Sequence, residues 1–170
     1  MPQILQVKNG FTFTDRTGQV QSAITSILQE YLMVQNVSSV RLPLDQVNVW
    51  PFIIVQKNSK KPVMKTTQKY TTTYNFTLWW YFAGNDPKVL EQVQHEMGEA
   101  IEKLFSNNAL GDLNTSTPTK QFMQYGSLWY DTMLSSVDYS PLMQTQAIKN
   151  MNYVMAGKVN ITLFAYYLNN

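Results

Sequence analysis

The sequence contains no cysteine and few charged residues, and each shortage excludes a class of chemistry. Without cysteine there is no disulfide framework, no thiolate nucleophile and no cysteine-based metal site. Charged residues make up 14% of the chain, against about 25% in a typical soluble domain. Asn, Gln, Ser and Thr take their place, and aromatic residues reach 13%. Such a composition is typical of protein interfaces, and a generally charge-poor, Asn/Gln-rich proteome explains it equally simply.

Long hydrophobic runs are also missing. No stretch approaches the roughly 18–20 apolar residues that a transmembrane helix needs. The segment Met1–Gln6 lacks the basic-then-apolar layout of a signal peptide, so we expect a soluble protein that stays where it is made. The net charge of +2 and the pI near 8.7 are far from the strongly basic balance of a dedicated nucleic-acid-binding protein.

Two segments have the spacing of amphipathic helices. Between Gln19 and Gln35 most apolar residues recur at i, i+3, i+4 and i+7, which places one stripe against a core. Either Asp15 or Thr17 is a suitable N-cap for this helix. The second helix has Asp86 as its N-cap and Pro87 at its first position, where a missing N–H costs nothing. Its apolar stripe consists of Leu90, Val93, Met97, Ile101 and Leu104.

Other segments alternate as β-strands do. The longest runs from Tyr70 to Phe82, where an aromatic and aliphatic face alternates with a face rich in Thr and Asn. Both faces become aromatic near its end, so we expect that end to be covered on both sides. A second clean strand runs from Lys158 to Leu168. Shorter strands are predicted at Val40–Leu44 and Trp50–Val55, and Asn58–Pro62 is predicted to be an exposed loop.

The order of these elements predicts the fold class. Residues 122–134 are strand-like but ambiguous, and residues 138–152 have no clear period. The resulting order, α-β-β-β-α-β-β, predicts an α+β fold in which an antiparallel or mixed β-sheet packs against two main helices. The chain has no internal repeat and no sharp change in composition. We therefore expect its 170 residues to form a single domain, 1–170.

The residue pattern gives little support to an enzymatic site. His95 is the only histidine, with Glu91 and Glu99 at i−4 and i+4 and Glu96 beside it. A divalent metal or an acid–base pair can use that spacing, but a solvated helix face with favourable His–Glu pairs is simpler. The chain has no Gly-x-Ser-x-Gly elbow and no glycine-rich phosphate loop. We therefore expect no catalysis, no metal and no cofactor.

Basic residues form one cluster just before the aromatic strand: Lys57, Lys60, Lys61, Lys65 and Lys69. Lysines beside stacked rings suit single-stranded nucleic acid. However, the alternate residues from Tyr74 to Trp80 are more typical of a packed face than of an exposed platform. Lysines on a hairpin also discourage unwanted edge-to-edge strand pairing. We favour a solvated hairpin or an assembly contact over nucleic-acid binding.

Six segments, taken in order, form a pattern that extends over most of the chain. They are the first helix, Pro51-Phe52-Ile53-Ile54-Val55, the strand that begins Lys69-Tyr-Thr-Thr-Thr-Tyr-Asn-Phe-Thr-Leu, the Asp86-Pro87 helix, Asn108-Ala109-Leu110-Gly111-Asp112-Leu113, and the strand from Val159 to Tyr166. In this pattern the chain resembles the tail terminator (tail completion) proteins of tailed bacteriophages. The pattern includes no catalytic motif, and residues 122–152 are longer and more irregular than the family pattern.

The resemblance implies a structural subunit that assembles into a hexameric ring. Such a ring caps the finished tail tube, ends its polymerisation and provides the surface for head–tail joining. Its partners are other copies of itself, the tail tube protein and the neck or connector protein; DNA is met only in transit through the lumen, and no membrane is involved. The implied location is the virion tail, after assembly in the host cytoplasm. On this basis we expect four lysines to make assembly or lumen contacts: Lys57, Lys60, Lys61 and Lys65.

Two alternatives to a tail terminator stay open. One is another tail or neck joining component of the virion. The other, from a different class, is a single-stranded nucleic-acid-binding module.

Overall fold

Two α-helices and seven β-strands make up the described part of the chain in the computed structural model. The structure describes residues 14–64, 69–105 and 125–168. The elements are α1 (Arg16–Tyr31), β1 (Asn36–Ser38), β2 (Phe52–Met64), β3 (Lys69–Gly84), α2 (Pro87–Phe105), β4 (Asp131–Leu134), β5 (Asp138–Tyr139), β6 (Met143–Gln144) and β7 (Tyr153–Leu168). The predicted α+β class with two main helices is confirmed.

All seven of these strands belong to one mixed sheet, with β2, β3 and β7 as its long centre. The strand order is β1-β2-β3-β7-β4, and β5 and β6 also pair with β7. β1 is parallel to β2, and the other described pairs are antiparallel. The short strands β4, β5 and β6 pair in turn with successive parts of β7. The three long strands therefore have β1 on one side and β4–β6 on the other.

Aspartate side chains cap both helices. The carboxylate of Asp15 accepts a backbone hydrogen bond from the first turn of α1 at 2.9 Å. Asp86 accepts one from the first turn of α2, also at 2.9 Å, as its position before a proline predicts. α1 ends at Tyr31 instead of the predicted Gln35, because Met33 adopts a left-handed φ of 53° that terminates a helix.

Both helices pack on one face of the sheet and bury the main core. α1 packs on β1 and β2, whereas α2 packs on β7, β3 and β4. The apolar faces that were predicted for β3 and β7 point into this core, which confirms the predicted alternation of their side chains. The sheet side chains of this core include Ile53, Val55, Tyr74, Phe76, Leu78, Trp80, Val159, Ile161, Leu163 and Ala165.

A smaller apolar cluster covers the opposite face of the sheet at one end. Phe52 and Tyr81 belong to it, together with Val47 and Ile148 from the connecting segments. Trp80 is fully buried on the helix side of β3, and the next residue, Tyr81, is 7% exposed on the other side. The expected coverage of this end of β3 on both faces is confirmed.

The predicted strand at Val40–Leu44 is wrong. The Ser38 hydroxyl accepts a hydrogen bond from the N–H of Val40 and donates one to its C=O, which closes a tight turn. Val40 is 61% exposed. Leu44–Gln46 then form one turn of 3-10 helix directly after Pro43. Side-chain hydrogen bonds to the backbone outweigh the alternation of apolar residues in this segment.

The predicted loop at Asn58–Pro62 is also wrong, because β2 continues through it. β2 pairs with β3 from Ser59 to Met64 after a single register shift. Asn, Ser, Lys and Pro are typical of loops, but a long neighbouring strand supplies backbone partners that composition does not reveal. Pro62 is tolerated because it lies on an edge strand, whose second row of backbone groups needs no partner in the sheet.

The ambiguous region between 122 and 152 forms the irregular edge made by β4, β5 and β6. Residues 122–124 lie outside the described part of the chain. Strands of two residues, such as β5 and β6, are too short to show alternation. This explains why residues 138–152 have no clear period. The predicted final strand is confirmed, and it begins at Tyr153 rather than at Lys158.

Candidate assembly interface

The outer edge of β2 is open over most of its length. β1 pairs with Phe52–Ile54, and the carbonyl of Val55 accepts a 2.6 Å hydrogen bond from the side-chain amide of Gln21 on α1. Beyond Val55, no strand within the described ranges pairs with β2 on this side. Residues Gln56–Lys61 are all exposed. Free backbone N–H and C=O groups along a sheet edge are a template for pairing with another chain.

A β-bulge directly after Lys57 determines where the lysines of this edge point. The register shift gives Lys57 and Lys60 the same orientation, towards the helix-bearing side of the sheet. The Nζ atom of Lys60 lies 5.7 Å from the ring centroid of Tyr74. Lys61 points to the opposite face, since its neighbour along β2 faces the helices. The structure thus places three of the four predicted lysines on the open edge, and Lys65 lies outside the described residues.

Hydrogen-bonded polar side chains cross β2, β3 and β7 on the face away from the helices. In the first row, Nδ2 of Asn75 donates to Oγ of Ser59 at 3.0 Å. The Oδ1 atom of the same asparagine accepts a hydrogen bond from Oγ1 of Thr162 at 2.8 Å. One side chain on β3 therefore joins both neighbouring strands.

A second row lies one step further along the strands. Oγ1 of Thr77 accepts a hydrogen bond from Nδ2 of Asn58 at 2.7 Å and donates one to Oδ1 of Asn160 at 2.6 Å. Thr77 is only 6% exposed, so its hydroxyl is held by protein partners rather than by solvent. We call the six residues of the two rows the polar ladder: Asn58, Ser59, Asn75, Thr77, Asn160 and Thr162.

Aromatic side chains flank the polar ladder at both ends. At one end, Nε1 of Trp79 donates to Oε1 of Gln56 at 3.2 Å, and the Nζ atom of Lys158 lies 5.2 Å from the Trp79 ring. At the other end, Tyr166 stacks on Tyr130 with centroids 4.0 Å apart. Burial and then the charge of Tyr166 raise the pKa of Tyr130 above its ordinary value. The result is a largely uncharged polar surface whose side chains hold one another in place.

His95 lies on α2, on the other side of the sheet from the polar ladder. Its ring meets Tyr139 of β5 edge-on, with centroids 4.7 Å apart, beside a groove of about 510 Å³. The helix permits this approach at Gly98, where a Cβ would overlap the Tyr139 hydroxyl. Burial, and then Glu99 and Glu102, raise the pKa of Tyr139. The histidine therefore packs against a tyrosine beside a row of carboxylates.

Neither a metal-binding cluster nor a membrane-spanning helix is found among the described residues. Within residues 14–64, 69–105 and 125–168, no group of three or more His, Asp or Glu side chains is placed to hold a metal ion. In the same ranges, no helix has the length and apolar character needed to cross a membrane.

No protein-family model matches the chain, and no curated protein matches it. The tail-terminator resemblance thus rests on the sequence pattern.

Sequence reasoning does not identify the polar ladder, although part of its signal is visible. The alternation of Thr and Asn on the second face of β3 is evident in the sequence. Their partners on β2 and β7 depend on strand order and register, which no local pattern encodes. The bulge adds to the difficulty, because Asn58 has no register partner on β3 and bonds to Thr77, whose partner in the register is Gln56.

Proposed function

We propose that this chain is a structural assembly subunit rather than an enzyme. Within that class, we propose a tail terminator of a tailed bacteriophage. It caps the tail tube as a ring, most simply a hexamer, ends tube polymerisation and offers the surface for head–tail joining. The observation that carries the proposal is the polar ladder, an uncharged sheet face that no described helix covers, next to the open edge of β2.

The polar ladder suits a surface that other proteins or a passing polymer must meet. Burying amides and hydroxyls costs far less than burying ions, and the ladder already supplies their hydrogen-bond partners. Its side chains are also ordered before contact, which lowers the entropy lost on association. Four of its members bond through Asn75 and Thr77 at the centre of the sheet. The surface therefore does not need to rearrange in order to bind.

The same face fits the lumen of a ring through which DNA passes. DNA binding strengthens with each phosphate that a Lys or Arg neutralises, so a lumen for transit benefits from few cations. Among the lysines whose side chains the structure describes, Lys61 and Lys158 lie on the polar-ladder side of the sheet. Lys57 and Lys60 point to the other side and are assigned to contacts between proteins. On this proposal the protein resides in the virion tail after assembly in the host cytoplasm.

A tube-capping experiment tests this proposal. The chain is added to polymerising tail tube protein encoded by the same genome, and tube lengths and ends are recorded by electron microscopy. We expect tube growth to stop once a ring made of copies of this chain has bound to a tube end, and that ring should be visible at the end. The variant Asn75→Lys, which puts a charge at the centre of the polar ladder, should cap less well. The matched control Gln146→Lys, in an exposed loop, should cap normally. Unchanged tube growth with bare ends would reject the terminator.

The neck alternative gives a different result in the same system. A neck joining component binds the isolated connector protein and leaves tube growth unaffected. A pull-down of the chain with connector and with tube, measured side by side, separates the two roles.

A nucleic-acid-binding module is the second candidate, favoured by the aromatic residues at the ends of the polar ladder. Tyr166 is 55% exposed, and Lys158 lies over Trp79, which resembles the ring-and-cation arrangement that binds single strands. The aromatic face considered in the sequence, Tyr74–Trp80, is buried and cannot serve. Fluorescence anisotropy with a labelled oligothymidine tests this role. Tight binding that falls steeply with salt and is lost in Tyr166→Ala would favour it.

A further inference from the structure

We infer that two oppositely charged sides of the subunit bind each other, so that the β2 edge of one copy docks on the α2–β4 side of the next copy. This inference rests on the proposed ring and names the surfaces that close it. β2 and β4 lie on opposite sides of the β3–β7 centre. α1 packs on the β2 side of the sheet, and α2 packs on β7 and β4. The two surfaces therefore point away from each other within one copy.

The first surface, the basic side, is the open edge of β2. Its lysines Lys57, Lys60 and Lys61 are all exposed, and β2 contains no acidic residue. On α1, which packs beside it, the one acidic residue is Glu30, in the last turn. Lys57 and Lys60 point towards the helix-bearing side because of the bulge. The basic side thus combines positive charge with a sheet edge that no described strand pairs with beyond Val55.

The second surface, the acidic side, is the outward stripe of α2 together with the β4–β5 edge. Glu91 and Glu99 are exposed, and Glu102 is half-buried. Glu99 and Glu102 lie close enough to Tyr139 of β5 to raise its pKa, which places this stripe beside the sheet edge. At the β5 edge, Nζ of Lys158 lies 3.7 Å from Oδ2 of Asp138, so these two charges offset each other. α2 carries four glutamates, since Glu96 is added to the three above, against two lysines, Lys88 and Lys103. The helix therefore leaves an excess of two negative charges on this side.

The occupant of each surface is a second copy of this chain, because charge complementarity and open edges coincide. Opposite charges across an interface fix the register of two partners and disfavour wrong ones. β4 has no further strand beyond it among the described residues, and β2 has none beyond Val55. A contact between two different sides repeats from copy to copy, and it closes into a ring when the rotation permits. Closure also covers both exposed sheet edges, which otherwise invite aggregation.

Charge reversal on each side, followed by mixing, tests the inference. The variants are Lys60→Glu with Lys61→Glu, and Glu99→Lys with Glu102→Lys, each measured by light scattering after size exclusion and checked for folding by circular dichroism. Each variant alone places like charges together and should associate about a hundredfold more weakly. An equal mixture should assemble again, because each reversed side then meets an opposite charge on the other variant. One chain carrying all four changes should also assemble.

Matched controls change charges that lie on neither side. Lys149→Glu is exposed in the segment before β7, and Glu30→Lys is exposed at the end of α1; both should assemble like the unmodified chain. Raising the salt concentration should weaken the unmodified oligomer, since exposed charges are screened over about 8–10 Å at physiological ionic strength.

Several results would overturn the inference. They are normal assembly of both reversed variants alone, no recovery in the mixture, or an unmodified chain that stays monomeric at every soluble concentration. The tube-capping experiment separates this failure from failure of the proposed function. Capped tubes without recovery in the mixture would keep the terminator and reject this interface. Recovery in the mixture without capped tubes would keep the interface and reject the terminator.

Discussion

Replacing Gly157 by alanine tests the packing that holds β7 against β3 beneath the helices. Gly157 lies directly opposite Trp80 in the strand register. A Cβ at this glycine would overlap Cε2 and Cζ2 of the indole and lie 2.5 Å from its Nε1. The indole cannot move freely, since it is fully buried and meets the ring of Tyr139 edge-on at 6.4 Å. Only glycine fits at position 157, because the indole ring of Trp80 occupies the space that a Cβ would need.

The expected destabilisation follows from this overlap. Overpacking a core costs about 1–3 kcal/mol, and we expect about 3 kcal/mol because the obstacle is a rigid ring. With a urea dependence of about 2 kcal/mol per molar, the unfolding midpoint should fall by about 1.5 M. The matched control is Gly84→Ala, where the Cβ would lie 3.3 Å from the flexible Cδ2 of Leu90. Its cost should be below about 1 kcal/mol.

A double-mutant cycle makes the test specific for the pair. Trp80→Phe removes the overlapping ring atoms together with a buried Nε1 that has no hydrogen-bond partner. In that background Gly157→Ala should cost about 1–2 kcal/mol less than in the unmodified chain. Urea unfolding followed by far-UV circular dichroism measures all four proteins. The packing argument is wrong when Gly157→Ala is harmless, or when it costs the same in both backgrounds.

Three further predictions use the same unfolding measurement. Asp86→Ala removes the cap of α2 and should cost about 1 kcal/mol, whereas Asp86→Asn should keep most of that stability; equal losses would refute the capping role. Thr77→Val leaves two amides of the polar ladder without their shared partner and should cost about 1–3 kcal/mol. The control is Thr73→Val, because the Thr73 hydroxyl makes a weaker 3.4 Å contact with a β2 carbonyl; it should cost less. A larger loss of stability in Thr73→Val than in Thr77→Val would contradict the role of the ladder. The pKa of Tyr139 is raised in the folded state, so the folded chain keeps this proton longer and loses stability as pH rises above about 10. Tyr139→Phe should flatten that alkaline loss, and an unchanged slope above pH 10 would exclude this tyrosine as a cause.

The two helices and the long strands β3 and β7 were largely predictable because their signals are local. A capping aspartate followed by proline defines the start of α2, and period-two alternation over Tyr70–Phe82 defines most of β3. The cluster of lysines on β2 was also visible. The face of the sheet to which each lysine points was not predictable, because the bulge after Lys57 exists only in the pairing with β3. The turn at Val40 was missed for a related reason, since a single serine hydroxyl decides it.

The sequence by itself determined the α+β class, both helices, most of the long strands β3 and β7, and the shortage of charge. The tertiary structure decided which strands are neighbours, which edge stays open and which side chains share a face. The polar ladder is a clear example, because Thr77 and Asn160 lie far apart in the chain and meet only through the β3–β7 register. Period and capping act within a few residues, whereas a surface for assembly is made by segments that only folding brings together.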